Sequence, residues 1–417
     1  YISEGNSVLL SSYKDNTDTQ DLSLTADTLS LYEGGSVIIS NATSVVANTA
    51  KVGVPTAYTL PSADGSANQV LKTDGSGTLS WTTNSGSGGA SSVNDLSDAL
   101  VESNSIYLGN DPSSTTSTAE KNVAIGTNAL GAVTSGDWNV AVGYDALITN
   151  TSGGGNVALG FGALNKNTSG GNNVAIGGLA MYSNTTGARN IGLGLEALQM
   201  SSGDDNIGLG RFTLFLNEGS NNIAIGDHAL KNNTTANYNI ALGSNALLAN
   251  TTGGRNTAIG YKAANSNTTG DDNIAIGEES LTASTTGIKN VAIGNYSLDA
   301  NTTGNQNAGI GYSALGANTT GGNNNAIGYF ALNSNTTGGN NAAFGNQSMN
   351  DNTTGDNNIA IGHLSLTANT TGTRNIALGS EALDAADTEN DNLAIGYAAL
   401  GGSIAGGELN VAIGNYS

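Results

Sequence analysis

A 17-residue period fills the chain from Asn122 onward and constrains the fold more than any other feature. Each copy reads Asn, Val or Ile, Ala, Ile or Leu, Gly, two variable residues, Ala or Ser, Leu, and a turn usually written Asn-Thr-Thr-Gly. The glycine that follows the apolar block recurs at positions 126, 143, 160, 177, 194, 210, 226, 243, 260, 277, 294, 311, 328, 345, 362, 379, 396 and 414. Fourteen of these seventeen spacings are 17 residues, two are 16 and one is 18. Such a short, fixed period is typical of a solenoid, in which each copy makes one coil and buries its apolar side chains against neighbouring coils.

The apolar block of each copy alternates in the manner of a β-strand. In the first copy Val123 and Ile125 point to one side of an extended chain, while Ala124 and Gly126 point to the other. Helix is disfavoured because β-branched residues, Asn, Thr and Gly dominate. A second apolar segment follows, Ala129-Leu130 in this copy, and we expect it to form a second strand of a flattened roll. The sequence therefore predicts an all-β fold, a parallel β-roll or β-solenoid of 17-residue coils.

One asparagine stands four residues before every repeat glycine. Side-chain amides stacked in register can hydrogen-bond to the coils on either side and to nearby backbone. We therefore expect a structural role, rather than ligand binding, for the column Asn122, Asn139, Asn156, Asn173, Asn190, Asn206, Asn222, Asn239, Asn256, Asn273, Asn290, Asn307, Asn324, Asn341, Asn358, Asn375, Asn392 and Asn410.

The residue two positions before the repeat glycine is always Ala or Gly, as in Ala124, Gly192 and Gly309. A position restricted to small residues suggests the close approach of another backbone. We interpret that backbone as a neighbouring copy of the chain, which makes a homotrimer around a common axis the expected assembly.

The remainder of the chain divides by composition. Short alternating runs such as Leu22-Ser23-Leu24 and Leu29-Ser30-Leu31 read as hairpins, Ser36–Ile39 reads as a further strand-like run, and residues 84–92 are rich in Gly and Ser. The predicted organisation is an N-terminal β-hairpin module at 1–53, a small β module at 54–83, a Gly/Ser-rich neck at 84–103 and the repeat shaft at 104–417.

Composition argues against several classes of function. The net charge of −21 repels phosphate backbones and anionic lipids, so neither nucleic acid nor membrane is an expected partner. The chain has no Cys and only two His, and it carries no phosphate loop, nucleophile elbow or zinc spacing. We expect a structural protein rather than an enzyme, with no cofactor.

Three local features leave alternatives open. A cluster of acidic residues near the end of the chain could supply oxygen ligands to Ca²⁺; it consists of Asp384, Asp387, Glu389 and Asp391. The favoured interpretation is that these are solvated charges in turns, because the Gly-Gly-x-Gly-x-Asp spacing of calcium-binding rolls is missing. The recurrent Asn-Thr-Thr formally matches a glycosylation acceptor, but its strict period assigns it to a stacked turn. Aromatic residues between the two 16-residue spacings indicate a filled packing defect or, alternatively, a receptor patch; the residues concerned are Arg211, Phe212, Phe215 and Glu218.

Several stretches resemble known families. Leu60-Pro61-Ser62-Ala63-Asp64-Gly65 and Asp74-Gly75-Ser76-Gly77-Thr78-Leu79-Ser80-Trp81 resemble modules of bacteriophage tail fibres, especially those of marine and cyanobacterial phages. The Asn-Val-Ala-Ile-Gly repeat is similar both to phage fibre shafts and to the head repeats of trimeric autotransporter adhesins.

The resemblance implies a trimeric β-fibre in the virion, anchored at one end, whose shaft supports host attachment. Its partners would be further copies of itself, other virion proteins, and a host receptor contacted through a tip outside this chain. The alternative is a bacterial surface adhesin or extracellular filament of the trimeric autotransporter type.

Overall fold

The computed structural model describes residues 7–9, 22–25, 28–31, 61–63, 66, 69–73, 78–83, 99–109, 112, 115–385, 387–404 and 406–417. Every regular element within these residues is a β-strand. The chain divides into two compact units, Tyr1–Ser91 and Ser92–Ser417. The second unit therefore includes residues 92–103, which composition assigns to the neck.

The first unit contains two small antiparallel sheets. One has the order β1-β2-β3, and the other pairs β4 with β5. Their bounds are Ser7–Leu9 for β1, Leu22–Thr25 for β2, Thr28–Leu31 for β3, Gln69–Thr73 for β4 and Leu79–Thr83 for β5. The expectations for Ser36–Ile39 and for residues 84–92 lie outside the described residues, and the separate modules at 1–53 and 54–83 remain predictions.

The second unit begins with a hairpin that covers one end of the repeat sheet. Strand β6 (Ala99–Glu102) pairs antiparallel with β7 (Ser105–Leu108) through a tight turn. The turn residues Ser103 and Asn104 have φ of 45° and 60°, as a type I′ turn requires. Pairing with β6 satisfies an edge of β7 that would otherwise be open. Tyr107 is fully buried, so its ring fills the interior where later coils carry alanine or glycine.

Eighteen parallel strands of three residues follow, one in each coil. They are Val123–Ile125, Val140–Val142, Val157–Leu159, Val174–Ile176, Ile191–Leu193, Ile207–Leu209, Ile223–Ile225, Ile240–Leu242, Thr257–Ile259, Ile274–Ile276, Val291–Ile293, Ala308–Ile310, Asn325–Ile327, Ala342–Phe344, Ile359–Ile361, Ile376–Leu378, Leu393–Ile395 and Val411–Ile413, which we number β8 to β25. Each strand pairs with the next in strict register, so that Ala158, for example, lies beside Ala175. The predicted all-β solenoid of 17-residue coils is confirmed.

The predicted second strand of each coil is wrong. Ala129-Leu130 and its equivalents form turns, in which the residue four after the repeat glycine has a left-handed backbone with φ between 48° and 55°. Residues two after and five before the glycine, Asn128 and Lys121 in the first copy, are also left-handed, with φ of 60° and 58°. These left-handed residues close the coil within few residues, at a cost of about 1 kcal/mol each that burial and stacking must offset.

The repeat glycine itself is required by the backbone. Gly126 has φ of 130°, and a Cβ added there would lie 2.7 Å from the carbonyl oxygen of Gly143 in the next coil. Because only glycine combines this conformation with such close stacking, the residue at this position is fixed in every copy.

The always-small residue faces the interior of a single chain. Ala124, Ala129 and Leu130 are all fully buried. At Gly192, an added Cβ would lie 3.1 Å from Cγ of Met181 and 3.3 Å from the carbonyl oxygen of Ala197. The inference that this position packs against a neighbouring subunit is therefore wrong, because the narrow interior of the coil already explains the restriction.

The larger apolar residues of each strand point outward instead. Ile125, Ile327 and Ile361 are 44%, 43% and 43% exposed. The residues at the first and third positions of the eighteen three-residue strands form two columns on the outer surface of the sheet, which we call the Val/Ile face.

We predict that Ala275→Leu destabilises the solenoid by about 1–3 kcal/mol or more, because Ala275 is fully buried and the added methylene groups overpack the interior. Ile276→Leu, one residue further on and pointing outward, is the matched control and should change stability little. The midpoint of urea unfolding followed by circular dichroism measures both. Equal effects of the two substitutions would contradict this account of the interior.

Candidate functional site

The eighteen asparagines before the repeat glycines lie in one continuous column. In a typical step the backbone N–H of Asn139 donates to Oδ1 of Asn122 at 2.8 Å, and Nδ2 of Asn139 donates to the same oxygen at 3.1 Å. Nδ2 also donates to the carbonyl oxygen of Gly153 at 2.9 Å. All of these asparagines except Asn410 are buried, so from Asn122 to Asn392 the column joins coils and presents no surface to a ligand.

A second asparagine column runs beside the first. It consists of the asparagines that open the Asn-Thr-Thr-Gly turns, with serine at two coils: Asn150, Asn167, Asn184, Ser201, Asn217, Asn233, Asn250, Asn267, Ser284, Asn301, Asn318, Asn335, Asn352 and Asn369. Nδ2 of Asn167 donates to Oδ1 of Asn150 at 2.8 Å. Both columns converge on the same backbone, since the carbonyl oxygen of Gly153 accepts from Asn139 and from Asn150.

The strict period of the Asn-Thr-Thr segment predicted a stacked turn, but not that its asparagines form a buried, hydrogen-bonded column. Its burial bears on the glycosylation match, because the acceptor asparagines Asn184, Asn250 and Asn301 are fully buried. The amide nitrogen that a glycan would modify instead donates hydrogen bonds inside the solenoid.

The acidic residues considered for Ca²⁺ have separate partners. Glu389 is buried and accepts backbone N–H groups from Asp387, Thr388 and Gly406, each at 3.0 Å. These N–H donors, that of Gly406 first, hold the pKa of Glu389 below its usual range. Asp391 pairs with Arg374, whose Nε lies 2.6 Å from Oδ1, and this hydrogen bond lowers the pKa of Asp391.

The other two carboxylates are placed differently. Asp387 accepts a hydrogen bond from the hydroxyl of Thr370 in the preceding coil. Burial raises the pKa of Asp384, and one of its carboxylate oxygens is buried without a hydrogen-bond partner. Asp384 lines a cavity of about 480 Å³ together with Glu381, Leu400 and Tyr416. Within the described part of the chain, no three His, Cys, Asp or Glu side chains are grouped so as to hold a metal ion.

The aromatic residues between the short repeats pack against one another and against cations. The Phe212 ring lies 5.8 Å from that of Phe215 and 5.1 Å from that of His228, measured between centroids. Arg211 and Lys231 approach the same ring at 5.4 and 5.2 Å. Phe212 and Phe215 are only partly exposed, so this cluster mainly fills space at the irregular coils.

Asp227 joins that cluster through charge. It accepts from Nε of Arg211 at 3.0 Å and lies 2.9 Å from Nδ1 of His228. The Arg211 hydrogen bond, followed by that of His228, lowers the pKa of Asp227 to about 2. The second histidine, His363, is exposed eight coils away, so the structure does not bring the two histidines together.

Comparison with protein-family models, curated proteins and solved structures found no match to this chain. Among the residues that the structure describes, there is no helix of the length and apolarity needed to cross a membrane.

We predict that Asn273→Ala destabilises the solenoid by about 2 kcal/mol or more. The change removes the donor to the carbonyl oxygen of Gly287 at 2.8 Å and the acceptor of the Asn290 N–H at 3.0 Å, and both groups are buried. Asn346→Ala, at an exposed position, is the control and should leave the unfolding midpoint unchanged. If Asn273→Ala has no larger effect than this control, the column does not hold the coils together.

A second prediction concerns pH. The pKa of Glu389 is depressed from 4.5, so its ionised form adds stability above that pH, and this stability is lost as the pH falls through the depressed folded value. Glu389→Gln should therefore lower the melting temperature at pH 7, and the difference from the parent chain should shrink as the pH falls below 4.5. A difference that is constant with pH would show that the carboxylate charge does not contribute. Addition of CaCl₂ or EDTA in the same melts tests the calcium alternative; a calcium-dependent melting temperature would support it.

Proposed function

We propose that three copies of this chain assemble through the Val/Ile face into an extracellular fibre. In this proposal the solenoid is the shaft of a bacteriophage tail fibre that supports host attachment and has no enzymatic role. The observation that carries the assembly is the exposure of the Val/Ile face, and the resemblance of the repeat and of the preceding segments to tail fibres carries the biological setting.

The Val/Ile face is apolar along most of the solenoid. Its most exposed large apolar members before the last coil are Ile125, Val140, Leu159, Ile225, Ile240, Ile274, Ile293, Ile327, Ile359 and Ile361, at 36% to 45%. Eighteen strands at ~4.8 Å spacing give this face a length on the order of 85 Å. A contiguous apolar stripe of that length is uncommon on a monomer and marks an interaction surface.

A second copy of the same chain is the partner that matches this face. The stripe repeats in register from coil to coil, so another stripe of the same repeat can cover it along its whole length. Three copies around an axis parallel to the stripe form a closed assembly in which each face contacts two others. The families that the repeat resembles favour three copies over two.

The negative charge of the chain limits association beyond three copies. The net charge of −21 leaves the remaining surface strongly acidic, and the mutual repulsion of such surfaces limits further lateral association of finished fibres. The other partners in the proposal are further virion proteins and a host receptor.

The mass of the particle in solution tests the assembly. Light scattering after gel filtration should give three times 41.5 kDa, about 125 kDa. The double substitution Ile327→Glu and Ile361→Glu buries two charges per chain at the interface and should shift the mass toward 41.5 kDa while the circular dichroism remains that of a β-protein.

Thr337→Glu with Thr354→Glu is the matched control. Both threonines are exposed in Asn-Thr-Thr-Gly turns, so this variant adds the same charge away from the Val/Ile face and should keep the parent mass. A parent chain that is monomeric, or an equal loss of mass in both variants, would overturn the assembly. Immunogold labelling with an antibody against the solenoid tests the setting, because label on phage tails supports a tail fibre and label on a bacterial envelope supports the adhesin alternative.

A further inference from the structure

The residues directly after the repeat glycines form a column along the solenoid, and most of them are exposed. Over six successive coils this column reads Glu278, Asn295, Tyr312, Tyr329, Asn346 and His363, and all six residues are exposed. Backbone hydrogen bonds hold the coils together at this point: the N–H of Phe330 donates to the carbonyl oxygen of Tyr312 at 3.0 Å, and that of Gln347 to Tyr329 at 2.8 Å.

The centre of this column is a platform of four aromatic rings. The rings of Tyr312 and Tyr329 stack with their centroids 5.6 Å apart and their planes 19° apart. Phe330 meets both edge-on, at 5.5 Å from Tyr312 and 4.4 Å from Tyr329, and Tyr296 meets Tyr312 edge-on at 5.7 Å. Tyr312 and Tyr329 remain 43% and 50% exposed, so the platform keeps much of its ring surface in solvent.

Side-chain amides border the platform at both ends. Asn295 precedes Tyr312 by one coil and Asn346 follows Tyr329 by one coil. Oδ1 of Asn295 accepts the backbone N–H of Glu278 at 3.0 Å, which fixes this amide against the column. Exposed aromatic rings that contact C–H groups, next to amides that exchange hydrogen bonds with hydroxyl groups, provide the two interactions by which proteins bind sugars.

The negative charge around the platform favours neutral sugars over anionic ones. Glu278, Glu279 and Asp299 lie close enough to Tyr296 that their negative charges, that of Glu278 first, raise the pKa of its hydroxyl. These carboxylates repel anionic polymers, as does the net charge of the chain. The spacing of the coils, ~4.8 Å, is similar to the length of one pyranose ring, so a polysaccharide laid along the column could contact successive coils.

We propose that the platform of Tyr296, Tyr312, Tyr329 and Phe330 binds a neutral polysaccharide, with Asn295 and Asn346 bonding its hydroxyl groups. This goes beyond the proposed shaft, because it gives the side of the solenoid a ligand of its own. The platform lies past the glycine that follows each strand, on turn residues rather than on the strand residues of the Val/Ile face.

A second stacked pair elsewhere in the same column supplies a control. Tyr144 and Phe161 also follow repeat glycines and stack with centroids 5.8 Å and planes 16° apart. Their neighbours in the column are Thr127 and Gly178, so this pair lacks the bordering amides. Substitution of either pair by alanine removes a comparable aromatic stack from the solenoid. Only substitution of Tyr312 and Tyr329 removes the proposed site.

Native affinity electrophoresis tests the proposal with mannan, dextran, laminarin and galactomannan as neutral probes and with alginate and heparin as anionic ones. We expect at least one neutral polysaccharide to retard the parent chain. The variant Y312A/Y329A should bind that polysaccharide about tenfold more weakly or worse, N346A should bind it with intermediate affinity, and Y144A/F161A should bind it like the parent.

Three outcomes would overturn the proposal: no retardation by any neutral probe, with or without retardation by the anionic ones; an equal loss of binding in both double variants; or a lower particle mass for Y312A/Y329A, which would make the platform a contact between copies. A monomeric parent chain that still binds a neutral polysaccharide would contradict the trimer and leave this site standing, so the two proposals fail separately.

Discussion

Hydrogen bonds between stacked asparagine amides are the interaction on which the rest of the structure depends. Each coil turns sharply within 17 residues and leaves backbone groups in the interior that neighbouring strands do not pair. Two columns of buried asparagines supply the missing partners, and both reach the carbonyl of Gly153 and its equivalents. In the first column each Oδ1 accepts the backbone N–H of the asparagine in the following coil, as Asn122 does from Asn139 and Asn273 from Asn290. These bonds fix the stacking register of the coils and therefore of the three-residue strands.

The narrowness of the coil decides where apolar side chains lie. The interior holds alanines from the strand and leucines from the turn, such as Ala124 and Leu130, both fully buried. It has no room for the Val and Ile residues of the strand, which therefore face outward. The same geometry that makes a single chain a tightly packed solenoid thus leaves an apolar stripe uncovered. This is the physical link between the fold and the proposed assembly.

The repeat also separates scaffold from variable surface. Substitution of the Asn, Gly or Ala positions disturbs stacking, whereas the residue after each repeat glycine points into solvent and ranges from Glu278 to Tyr329 without changing the coil. Local chemistry, such as rings bordered by amides, can therefore be placed at chosen coils without affecting the columns beneath. In the proposed fibre, the regular shaft would in this way carry lateral binding surfaces as well as span distance.

The period, the alternation in Asn-Val-Ala-Ile-Gly and the constant asparagine were sufficient to predict an all-β solenoid, because stacking imposes the same demands on every copy. The second asparagine column was equally readable from its period.

Alternation shows that Val123 and Ala124 lie on opposite sides of the strand but not which side faces the interior. The smaller residue lies inside because Leu130 and its equivalents occupy the remaining space. The left-handed backbone of those leucines could not be read from the sequence, since leucine rarely adopts it and only the closure of the coil imposes it. The stacked platform at Tyr312 and Tyr329 likewise required the tertiary structure, because residues 17 apart in sequence become neighbours only when the coils stack.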